Sequence, residues 1–146
     1  MKQLLRMAVV VALALTFSVL PACSSSSTTS SSNGSGSDVP LVRAADAEAM
    51  IEDNVGNDDL CVLDVRTPEE YVLGHLENSL NIDYYDDSFR DSLDKLDREK
   101  TYIVYCRCGK RGAASVTMMQ ELGFAHVFNL DGGYLEWEFE QLPIEE

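Results

Sequence analysis

Residues 106–112 read Cys-Arg-Cys-Gly-Lys-Arg-Gly, which places two thiols and three cations within seven positions. They follow the β-branched and aromatic run Thr101-Tyr102-Ile103-Val104-Tyr105 and precede Ala113, Val116, Met119 and Leu122 at helical spacing. That order predicts a buried strand, a tight loop and a helix. A loop leaving the carboxyl end of a parallel strand turns its backbone N–H groups into one concavity, and the helix N-terminus adds positive potential there. Such a concavity suits an anion. Cys106 is therefore the candidate nucleophile, because amides, dipole and cations all favour a thiolate at that place. Arg107, Cys108, Gly109, Lys110, Arg111 and Gly112 are the candidate substrate-binding residues, with Cys108 also a candidate resolving thiol. Cys-x-Cys offers two ligands where a zinc site needs three or four, so neither a metal nor an organic cofactor is expected.

The elements that must position this loop follow from short apolar runs alternating with helical patterns, the signature of βα units on a parallel sheet. Cys61-Val62-Leu63-Asp64-Val65 and Thr101–Tyr105 are expected as central strands, with Leu80-Asn81-Ile82 and His126-Val127-Phe128 as shorter ones. Helices are expected from Ala45 to Glu52, along Phe89, Leu93 and Leu96, and from Ala113 to Leu122, where Gly123 supplies the C-cap. Thr67-Pro68-Glu69-Glu70 combines a capping box with proline at the first helical position, so a short helix must begin just after Asp64-Val65-Arg66. Asp64 and Arg66 are expected to pair and order the mouth of the sheet. Cys61, inside a strand, reads as a small core hydrophobe, and His75 in the Gly-His-Leu turn as a structural hydrogen bonder.

The remaining chain is organised around export. Lys2 and Arg6 precede an apolar run of 14 residues, Met7 to Leu20, which is short of the roughly 20 residues that a membrane span needs. The run ends in Leu20-Pro21-Ala22-Cys23, which resembles a bacterial lipobox, with Pro21 in place of the usual small residue. Residues 1–22 are accordingly expected to be a lipoprotein signal peptide and Cys23 the lipidated residue. Residues 23–37, mostly serine, form an expected flexible tether of roughly 20 Å coil span. The folded domain is expected over 38–146. With Lys2 and Arg6 removed, nine cations face 25 acids, a charge of −16 that repels nucleic acid and anionic lipid surfaces. Membrane attachment would then depend on the lipid at Cys23 in the cell envelope, periplasmic or on the outer surface.

Three stretches in order resemble the rhodanese family of sulfurtransferases: Leu63-Asp64-Val65-Arg66-Thr67-Pro68-Glu69-Glu70-Tyr71 with Gly74-His75-Leu76, then Tyr105 to Arg111, then Gly123-Phe124 through Asn129-Leu130-Asp131-Gly132-Gly133-Tyr134-Leu135-Glu136-Trp137. The resemblance implies a three-layer α/β/α fold with a central, mainly parallel five-stranded sheet. It also implies that Cys106 accepts sulfane sulfur as a persulfide from a small sulfur-containing anion such as thiosulfate and passes it to a thiol or to cyanide. A monomer is expected. Departures from the pattern are Glu77-Asn78-Ser79, Gly112 and Cys108. Cysteine phosphatases use a loop one residue longer than the four residues separating Cys106 from Arg111, so the shorter loop favours sulfur. Two other readings stand beside sulfur transfer: thiol–disulfide or persulfide-reducing chemistry shared by Cys106 and Cys108, and a non-catalytic binding module of the same fold.

Overall fold

A computed structural model of the chain describes residues 39–146; the expected signal peptide, Cys23 and the serine-rich tether lie outside the described residues. The centre is a five-stranded parallel sheet whose longest members are β2, Leu60–Asp64, and β5, Thr101–Tyr105. They pair over their full length, from Leu60 opposite Thr101 to Asp64 opposite Tyr105. β6, Val127–Leu130, lies on the far side of β5, and the two-residue strands β1, Leu41–Val42, and β4, Leu80–Asn81, close the edges in the order β1-β6-β5-β2-β4.

Because side chains alternate across a strand, each central strand supplies two cores. Leu63, Tyr102, Val104 and Cys106 pack with α3, Phe89–Asp94, and α4, Lys110–Glu121. Val62, Ile103 and Tyr105 pack with α1, Ala44–Asp53, and α5, Gly133–Phe139. The result is helix, sheet, helix. Leu63, Ile103 and Val104 are fully buried, each contributing about 1.5–3 kcal/mol of apolar transfer. Strands buried on both faces need the continuous apolar runs that the sequence carries.

The local signals are read out in detail. Thr67 caps α2, Pro68–Tyr71, by accepting from the Glu70 amide at 3.4 Å while Glu70 Oε2 accepts from the Thr67 amide at 3.2 Å. At the end of α4, the Phe124 amide donates to Met119 and the Gly123 amide to Gln120, a Schellman closure around Gly123 at φ +93°. β2, β4, β6 and α1 shift by one or two residues from expectation, with β6 running from Val127 to Leu130 rather than from His126 to Phe128, and three further differences bear on the architecture. α4 begins at Lys110 rather than Ala113, because Gly109, at φ +83°, serves as its N-cap. α3 stops before Leu96, which still packs against the core. The ribbon of β3, His75–Leu76, with β7, Ile144–Glu145, is antiparallel and separate from the main sheet.

Candidate active site

Cys106 follows directly on β5, the middle strand of the sheet, and is buried at 1% exposure. Cys108 is exposed, and both thiols are free. The loop is held from one side. The Tyr134 amide donates to the Cys106 carbonyl at 2.8 Å and the Leu135 amide to the Arg107 carbonyl at 3.0 Å. On the other flank, Asn129 Nδ2 donates to the Gly109 carbonyl at 3.2 Å. In a planar trans peptide the N–H points opposite to the C=O, so carbonyls drawn towards α5 turn the next amides away from it. Among the described residues, none of the amides from Arg107 to Gly112 donates to a protein acceptor. These free donors, the last three on the first turn of α4, form an anion cradle that begins at Cys106.

The clamp depends on a glycine. Gly133 sits at φ +63°, where a Cβ would run into the Cys106 carbonyl, the Gly109 nitrogen at 2.8 Å and the Arg107 carbonyl at 2.9 Å. Only a residue without a side chain lets α5 come close enough for its first amides to reach the loop. Gly112, buried in the first turn of α4, is packed against Asn129 Oδ1, which has no hydrogen-bond partner among the described residues. Asn129, Gly133, Tyr134 and Leu135 are thus positioning residues. Their sequence signals were faint: one polar residue in an otherwise apolar strand, and a glycine doublet ahead of a short helix.

The three cations of the motif separate. Arg111 is partly buried and makes a two-pronged pair with Glu70, Nη1 to Oε2 at 2.8 Å and Nη2 to Oε1 at 3.0 Å. The hydrogen bond to Glu70 raises the Arg111 pKa against the effect of burial, with the charges of Glu70 and Cys106 adding to it. The hydrogen bond from Arg111 conversely holds the Glu70 carboxyl below its ordinary range. Arg107 and Lys110 are exposed and have no ion-pair partner among the described residues. Arg111 therefore anchors the loop to α2, while Arg107 and Lys110 keep their charge available to an incoming anion.

Asp64 and Arg66 do pair, fully inside the protein. Arg66 Nη2 donates to Asp64 Oδ2 at 2.7 Å and to the Gly74 carbonyl at 2.7 Å, and its guanidinium lies 4.1 Å from the centre of the Tyr134 ring. This fixes the Gly74 turn and Tyr134 against the carboxyl end of the sheet. His75 is structural: Nδ1 lies 3.1 Å from the Tyr71 carbonyl oxygen, and the ring stacks on Tyr71. Cys61 is partly buried in β2, and burial pushes its thiol pKa up, away from nucleophilic use.

Comparison with known proteins finds the same fold. The family described as rhodanese-like domain matches residues 43–140. A sulfurtransferase of Allochromatium vinosum is 27% identical over 104 residues, spanning 71% of this chain and 95% of that protein. A tRNA uridine(34) hydroxylase of an Enterobacter species is 34% identical over 110 residues, which span 70% of this chain and only 30% of the hydroxylase. The crystal structure of a rhodanese-related protein from Thermoplasma volcanium superposes with a TM-score of 0.61 at 33% identity, covering 73% of this chain and 97% of that one.

Proposed function

Because the chain belongs to the rhodanese-like family, we propose that it is a sulfurtransferase that carries sulfane sulfur on Cys106, from thiosulfate or a related anion to a thiol or cyanide. The observation that supports this most is the cradle itself: a cysteine at the end of the central strand with a run of unused amides after it. Arg107 and Lys110 attract the dianion. The Cys106 thiolate attacks the outer sulfur of thiosulfate, the new S–S bond forms as the old one breaks, and sulfite leaves with the electron pair. The terminal sulfur of the Cys106 persulfide carries the same negative charge as the thiolate it replaces, so the same amides stabilise both without rearrangement. An acceptor thiolate then takes the terminal sulfur as its own persulfide and returns Cys106 to its starting state. Thiosulfate specificity and the lipid anchor are parts of this proposal; Cys23 and the serine-rich segment would keep the domain beside a membrane.

Mass measurement of the purified protein after thiosulfate exposure tests the reaction. The expected result is one added sulfur atom on the peptide holding Cys106, absent in Cys106→Ala and retained in Cys61→Ala. Equal thiosulfate-to-cyanide activity in Cys106→Ala and the parent would refute the assignment. For the anchor, Cys23→Ser protein should lose membrane fractionation after export, and retention there would refute it.

A further inference from the structure

Beside the Cys106 loop lies a cavity of about 220 Å³ whose chemistry is not that of an inorganic anion site. It reaches the loop through Arg107, and Tyr134, one of its walls, donates its amide to the Cys106 carbonyl at 2.8 Å. Two leucines face it from different elements: Leu73, 81% exposed, in the turn after α2, and Leu135, 44% exposed, on α5. The charges lining it are balanced. Arg66 is satisfied by Asp64 and Glu70 by Arg111, which leaves Arg107 and Glu138 as the two lining charges without an ion-pair partner among the described residues.

One free cation, one free carboxylate and two leucines lining the same cavity match a zwitterion with a short carbon skeleton. Cyanide or sulfite would gain nothing from the leucines. A dianionic thiol would be opposed by Glu138 and by the overall charge of −14. The volume is below the 300 to 1,000 Å³ of sites for drug-sized molecules, so the occupant is of amino-acid or dipeptide size. We propose that this cavity is the acceptor subsite and that it takes an α-amino-acid thiol: its carboxylate on Arg107, its ammonium on Glu138, and its carbon stem against Leu73 and Leu135. The assignment of the occupant as acceptor rests on the sulfurtransferase reading. The transfer balances without a further reagent: the bound thiolate attacks the terminal sulfur of the Cys106 persulfide, the Cys106 S–S bond breaks, and its electron pair returns to Cys106.

Binding and transfer are measured separately. S-methyl-L-cysteine, which cannot react, should shift the amide resonances of Leu73, Gly74, Arg107 and Leu135. Glu138→Gln should weaken its binding about five-fold, with little effect on 3-(methylthio)propionate, which lacks only the amino group; that size suits one ion pair at a partly screened rim. Leu135→Ser should weaken both. With persulfide-loaded protein, Glu138→Gln should lower the transfer rate to L-cysteine about five-fold relative to 3-mercaptopropionate, a ratio between enzyme forms in which thiol basicity cancels. Absence of resonance shifts, equal effects of Glu138→Gln on both probes, or binding only of a thiol embedded in a longer peptide would overturn the proposal. If Cys106 takes up no sulfur while the probe still binds selectively, the sulfurtransferase reading fails and the cavity survives as a zwitterion site without an acceptor role.

Discussion

At the scale of single residues, the loop is governed by contacts with very little tolerance. Gly133→Ala introduces a methyl group among three backbone atoms of the loop and keeps a φ of +63° that alanine resists. We expect a loss of at least about 2 kcal/mol of stability, together with loss of sulfur uptake, read by thermal unfolding and by mass. Uptake at the parent rate would show that α5 does not shape the cradle. Cys108 has a different part to play. It is exposed, two residues beyond the buried Cys106, so it meets the persulfide from the solvent side. Its attack on the inner sulfur would release hydrosulfide and leave a small, strained disulfide that an external thiol opens easily. Cys108→Ser is expected to load sulfur normally and to hold the persulfide longer when no acceptor is present. Equal lifetimes in parent and variant, with no internal disulfide in the parent, would reduce Cys108 to a rim residue.

At the scale of elements, α2 and α4 are joined by one pair across the loop, Glu70 with Arg111. Arg111 holds the Glu70 carboxyl below its ordinary value of 4.5. A depressed acid contributes its stability above the ordinary value and loses it as pH falls through the folded value. Glu70→Gln should therefore cost about 1 kcal/mol near neutrality, a figure set by partial solvent screening, and should flatten the acid limb of the unfolding curve below pH 4.5. An unchanged acid limb would mean that the pair is energetically silent. The same pair explains what could be read from the sequence. The capping box at Thr67, the Gly123 closure and the β2 and β5 runs depend on residues within a few positions of one another, so they were legible. Glu70 meets Arg111 across 41 positions and Asn129 meets Gly109 across 20, and no local pattern announces either contact. β1 has two residues, too few for alternation to show, and α5 begins at a glycine doublet that locally signals a break. The cysteine and its loop were legible because strand, loop and helix are adjacent in the chain. The clamp behind them was not, because it comes from the C-terminal third.

At the scale of the whole molecule, the acidic surface and the buried tyrosines act at opposite ends of the pH range. Burial is the main cause that pushes the Tyr102 hydroxyl from 10.0 up to about 12, with the charge of Cys61 adding. A raised acid contributes stability that is complete below its unfolded value and disappears as pH rises through the folded one. Unfolding at alkaline pH should therefore set in above 10 and progress towards 12. Tyr102→Phe, which gives up a hydroxyl donating to the Asp97 carbonyl at 2.9 Å, should make that decline shallower in circular dichroism. Superimposable alkaline limbs would refute the role of Tyr102.

The two outermost strands of the sheet, β1 and β4, hold only two residues each. A sheet exposes its unpaired N–H and C=O groups along its borders, where another chain can add a strand and begin a cross-β stack. Here each border is shorter than the strand it flanks, β6 with four residues beside β1 and β2 with five beside β4, so a second chain would find too few open hydrogen bonds to register against. A domain concentrated in two dimensions, as the proposed lipid at Cys23 would concentrate it, collides with its copies far more often than one free in solution. Borders this short keep such crowding from becoming aggregation.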